Sequence, residues 1–214
     1  MELLLTGLAR VSYWALTLYL WMMIIAVLLT WVTPDPRNPI VSFLNRVTMP
    51  VWNWVSAALP ARLRLFSAYA ALLCIVFLIE FLPGALNTLA GYAGGRLSAG
   101  MLPMPIAGFA LRGIGVVLNE FLYFLIILLL IWFVLTLVSP SVHSPVVRVV
   151  YMLVDPIITP LQRVLPRMRV DLSPLIAAGI CLLLNIIVVS QLIAFSFSLT
   201  QGGAQGLALP QQHM

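Results

Sequence analysis

The sequence contains no lysine, and only 8% of its 214 residues are charged. Soluble domains carry roughly 25%, so this chain lacks the polar surface that water demands and needs lipid as part of its solvent. Histidine is nearly as scarce, with only His143 and His213. Neither has a nucleophile or carboxylate partner at a catalytic spacing, and His143 alone cannot supply two axial ligands to a haem. Cys74 and Cys181 lie inside apolar runs without a neighbour at metal-ligand spacing, which reads as two small buried hydrophobes. Phosphate-binding loops are missing as well, because the glycine-rich stretch Gly91–Gly95 has no strand ahead of it. These shortages leave no catalytic residues, no metal and no cofactor, so the expectation is a protein that is not an enzyme.

What the sequence does have is apolar length, with 63% hydrophobic residues. Four runs, at about 11–32, 67–87, 115–138 and 174–199, are long enough to cross a hydrocarbon core of about 30 Å at 1.5 Å per residue. Tyr13, Trp14 and Trp31 flank the first as interfacial anchors. The first run lacks a strong basic region before it and a small-residue cleavage site after it, and reads as an uncleaved helix. Residues 200–214 are polar and read as a disordered tail.

All cations are arginines, and their distribution orients the chain. The linker 33–66 holds Arg37, Arg46, Arg62 and Arg64, and the linker 139–173 holds Arg148, Arg163, Arg167 and Arg169. Only Arg10, Arg96 and Arg112 fall elsewhere. Both arginine-rich linkers are therefore expected in the cytoplasm, with both termini outside, in a bacterial inner membrane. The arginines border apolar stretches rather than forming a soluble basic patch, so anionic lipid headgroups are the expected counter-ions and nucleic acid is not.

The sequence repeats itself at a shift of 106 positions without a gap. Thr30, Val32, Pro34, Pro39, Val41, Pro50, Leu59, Pro60 and Ser67 recur as Thr136, Val138, Pro140, Pro145, Val147, Pro156, Leu165, Pro166 and Ser173. The reading is a first repeat at 1–108 and a second at 109–199. Each repeat holds two spans, so the copies enter the membrane in the same sense as parallel repeats. The expected fold is an all-α membrane protein of four transmembrane helices, with a pair of short amphipathic interfacial helices in each linker.

Helix-start signals carry the linker reading. Asn38–Pro39, Ser144–Pro145 and Asp155–Pro156 each put a capping side chain before a proline at the first helical position. Asp171 precedes Ser173–Pro174, expected with Ser67 to cap the spans that follow. The linker helices, edged by Arg46 and Arg148 and marked by Trp52 and Trp54, are expected at the headgroup layer, facing lipid or a partner. Packing against the bundle is the alternative.

At these residues the chain resembles the YggT family, also called YlmG. The resemblance is carried by Asn38-Pro39-Ile40, Val47-Thr48 and Pro50, then by Ser144-Pro145, Asp155-Pro156, Pro160, Arg163, Leu165-Pro166 and Asp171-Leu172-Ser173-Pro174. The first copy departs from the family pattern at 52–58, where its arginine-rich stretch is replaced, and at 65–68, where its Asp-x-Ser-Pro box is missing. The resemblance implies a small integral membrane protein without an assigned reaction. It also implies links to osmotic and ionic tolerance, to division-associated operons, and in plastids to nucleoid distribution and haem attachment to a b-type cytochrome.

Five polar residues interrupt the spans. Glu80 lies about 20 Å along its helix from Ser67, Asn185 lies at near-equivalent depth beyond Ser173, and Gln191 follows it. Asn119 and Glu120 open the third span. Together they are expected to form an intramembrane polar layer, or else to pair between helices and reach the outer interface. The functional expectation is a membrane accessory or scaffold with a membrane-protein partner or as a homo-oligomer. Its competitors are an oligomeric ion conduit responding to osmotic change and an assembly factor for a haem protein.

Overall fold

Lipid offers a backbone no hydrogen-bond partner, so an apolar run that crosses it must close its own bonds as a helix. Accordingly, every regular element among the described residues is helical. The computed structural model describes residues 1–32, 37–138, 154–155, 158–159, 162 and 172–205. Among the described residues, four helices are long and apolar enough to span a membrane, at Glu2–Leu29, Ser67–Ala93, Ala99–Leu137 and Ser173–Gln201.

Helix α1 covers Glu2–Val32, starting nine residues before the apolar run read from the sequence. Its early polar residues do not stop it, because the hydroxyls of Thr6, Ser12 and Thr17 donate back to carbonyls of the preceding turn. Helix α2 spans Pro39–Ala58. Two short helices with a bend were expected in this linker, and the structure corrects that to one continuous helix. Pro50 lies inside it; proline removes one ladder bond, and packing of Val41, Leu44 and Thr48 on one face holds the helix through the gap. A 3₁₀ turn at Ala61–Phe66 leads into α3, Ser67–Ala93. That helix runs on through Pro83 and past residue 87, the expected end of the run. A lipid-embedded backbone gains nothing by breaking there.

The connection after α3 is far shorter than expected. Gly94 ends the helix, Gly95 takes a left-handed φ of 71°, and the Arg96 and Leu97 N–H groups return to the Gly91 carbonyl. Positive φ is costly for any residue with a Cβ, so Gly95 is the natural occupant. After a 3₁₀ turn at Ala99–Met101, helix α4 covers Pro103–Val138. Helix α5 covers Ser173–Leu184, a π-helical turn Asn185–Val189 follows, and α6 runs Ser190–Gln205. The stretch 200–205, read as tail, is thus helical, and 206–214 lies outside the described residues.

The chain forms two compact units. The first comprises Met1–Val117 with Leu192–Met214. Within it α1 packs against α3, and α2 against both. Glu2, at the head of α1, pairs with Arg96, just beyond the end of α3, so the two helices run antiparallel. Met23, Ala26 and Val27 on α1 and Ala68, Ala71 and Ile75 on α3 are buried. Cys74, expected to be buried, is exposed, because it lies off the face that those alanines make. The second unit is Leu118–Gln191. Its core joins Leu128 and Leu129 of α4, Ala177, Ala178 and Cys181 of α5, and Val154 and Ile158 of the second linker.

Candidate functional site

Glu80 sits mid-way along α3, and Arg112 stands ten positions into α4. Arg112 Nε lies 3.0 Å from Glu80 Oε2, with the two side chains 34% and 25% exposed. The guanidinium carbon also lies 4.8 Å over the Phe197 ring of α6, a cation–π contact. Three helices of the first unit therefore converge on one cation. Glycines let them approach. A Cβ on Gly84 would collide with Phe109, and one on Gly113 would stand 2.8 Å from Phe77 Cδ2. A charge at the membrane centre costs about 2.5–3.5 kcal/mol on insertion scales, and pairing is the usual remedy. Arg112 falls between the apolar runs 67–87 and 115–138 of the sequence, outside any expected helix, so the sequence alone does not pair it with Glu80. The signal was available: two opposite charges flank one short turn at comparable distances along two apolar helices.

In the second unit, Asn185 is buried and its Nδ2 donates to Asn119 Oδ1 at 2.8 Å. Glu120 and Gln191 are exposed. The structure thus brings together Glu80 with Arg112 and Asn119 with Asn185. It leaves Glu120 and Gln191 without a partner among the described residues. Interhelical hydrogen bonds in membranes average about 0.6 kcal/mol and reach about 1.7. Asn185→Leu is therefore expected to cost only about 1 kcal/mol, measured as a small fall in the thermal midpoint in detergent.

Around α2, Asn38 Oδ1 accepts from the Ile40 N–H at 2.9 Å, with Pro39 opening the helix. Arg46 is exposed and Trp54 is 84% exposed. Trp52 is half-buried. Its Nε1–H donates to Ser67 Oγ at 2.7 Å, tying α2 to the first residue of α3. The Tyr19 hydroxyl donates to the Val47 carbonyl at 3.1 Å, tying α2 to α1. Ser67 itself does not cap: Phe66 holds the cap position without a side-chain bond. At the span Ser173–Gln201, Leu172 is the cap residue, and Ser173 and Pro174 are the first helical residues. Asp155 Oδ1 accepts from the Thr159 hydroxyl at 2.9 Å, four positions on. Ser144, Pro145, Arg148, Pro156, Arg163, Arg167, Arg169 and Asp171 lie outside the described residues.

No curated protein and no solved structure matches the chain. A family model described as CCB3/YggT matches residues 5–87 and again residues 111–192. Together the two matches take in most of the sequence, including both polar pairs and all of α2. This membrane-spanning chain belongs to the CCB3/YggT family.

Proposed function

We propose that the protein is a non-enzymatic accessory or scaffold of the bacterial inner membrane, serving envelope organisation or tolerance to osmotic and ionic stress. The observation that carries this reading is the use of polar groups inside the helices. Glu80 with Arg112, and Asn119 with Asn185, spend their polarity on each other and on holding helices together. Groups committed in this way are poor at moving ions, which need a continuous polar path with sites weak enough to leave. Duplication fits the same picture: the two matched segments begin at residues 5 and 111, the shift seen in the prolines.

Helix α2 supplies the surface for a membrane-bound role. Successive positions on a helix turn by about 100°. Ser42, Asn45, Arg46, Asn53 and Ser56 accordingly share one flank, while the exposed Ile40, Phe43 and Trp54 share another. Joined at both ends to membrane helices, α2 lies in the headgroup plane with the aromatic flank in lipid and Arg46 toward phosphates. With the linkers in the cytoplasm, Arg46→Cys is expected to react with an impermeant maleimide in inside-out vesicles and not in right-side-out ones. Phe43→Cys should stay protected in both. Labelling of Arg46→Cys from the opposite side would reverse the orientation.

The scaffold reading is tested by purification from native membranes in mild detergent, followed by mass spectrometry. A foreign membrane protein retained in fixed stoichiometry is the expected result. Retention of no foreign protein, together with ion flux in vesicles reconstituted with the pure chain, would replace the scaffold with a conduit.

A further inference from the structure

Glu120 is a carboxylate in the middle of the 36-residue helix α4, exposed and without a partner among the described residues. One turn further on, Tyr123 is 45% exposed, and its hydroxyl likewise bonds to nothing among the described residues. Acyl chains can satisfy neither group, and an unmet polar group in hydrocarbon is costly. Glu120 and Tyr123 also begin a stripe. Glu120, Tyr123, Ile127, Leu130, Val134 and Leu137 are all exposed. They alternate in steps of three and four, the spacing of a two-helix packing seam. This face carries a donor and an acceptor that lipid leaves unpaired.

We infer that this seam joins two copies of the chain, α4 against α4, about a two-fold axis along the membrane normal. The Tyr123 hydroxyl of each copy donates to the Glu120 carboxylate of the other. Self-association is favoured over a foreign helix because the face is complementary to itself. A two-fold interface uses the same patch twice and so needs donor and acceptor on one surface. The axis sets equivalent residues at equal depth. Three residues of helix rise, about 4.5 Å, then separate each hydroxyl from its acceptor, within reach of both side chains. The inference rests on α4 crossing the membrane and is independent of whether a scaffold partner exists.

The test uses the full chain with Cys74→Ser and Cys181→Ser, carrying one added cysteine at a time and oxidised in native membranes. Ile127→Cys and Val134→Cys are expected to cross-link into dimers. Phe121→Cys, comparably exposed but on another face of α4, should not. In detergent, Tyr123→Phe should raise the dimer dissociation constant by about tenfold, the scale of two interhelical hydrogen bonds. Cross-linking as efficient at Phe121 as at Ile127, a monomeric native mass for the parent chain, or a dimer indifferent to Tyr123→Phe would each overturn the assignment.

Discussion

Replacing Glu80 by leucine is expected to destabilise the protein by about 2–3 kcal/mol, because it strands a cation inside apolar helices. Arginine cannot escape by losing its proton, so Arg112 would stay charged beside Phe197 with its carboxylate gone. A fully buried broken pair costs about 3–5 kcal/mol. A quarter to a third of each side chain here remains accessible, which sets the lower figure. Arg112→Leu should cost less, since a carboxyl group, unlike a guanidinium, has an accessible neutral form. The double replacement should return most of the loss, as apolar substitutes for buried ion pairs are often neutral. A double-mutant cycle on thermal midpoints in detergent measures the coupling. Additive losses would mean that the two side chains do not hold each other.

The second large effect is expected at Gly108. A Cβ there would stand 2.8 Å from Thr200 Cγ2, 3.1 Å from Leu199 Cβ and 3.1 Å from the Ser196 carbonyl oxygen. The first neighbour is a side-chain tip that can turn away, but the carbonyl is part of α6 and moves only with its helix. Overpacking costs typically about 1–3 kcal/mol, and Gly108→Leu should reach or exceed the top of that range by forcing α6 off α4. Gly179→Leu is the matched control, since nothing lies within 4 Å of a Cβ built there. Proteolysis of α6 in membranes reads the difference: rapid cleavage near its C-terminal end, beyond the span, in Gly108→Leu, and parent-like resistance in Gly179→Leu. Equal resistance in the two variants would show that the glycine is not what lets α4 and α6 meet.

The helices that span the membrane were legible in composition, because lipid reduces the choice of secondary structure to one. Their ends were harder to read, for the same reason. Pro83, Arg10 and the glycines near residue 202 are stop signals in water, where a broken backbone finds new hydrogen bonds, and lipid removes that option. The polar residues were legible one at a time and their partners were not. Glu80 stood out as a charge among leucines and phenylalanines, but pairing it required Arg112 to be helical. That in turn depended on the connection closing within a few residues after Gly95. Ser67 shows a different limit. A serine ahead of an apolar run is a sound capping signal, yet here an indole fifteen residues earlier claims its hydroxyl, and no local pattern announces so distant a donor.

The first unit is interrupted in sequence: Leu118–Gln191 is made between its two parts. Chains emerge from the ribosome N-terminus first. Helices α1, α2 and α3 can therefore assemble early, while Phe197 and Ser196 arrive only after the whole second unit has been synthesised. Until then Arg112 has its carboxylate but not its aromatic cover, and Gly108 has no helix to receive. Biogenesis of the first unit thus runs as a bracket, opened by α1 and closed by α6, and a nascent chain arrested before α6 would be held in the membrane with its earliest unit still incomplete.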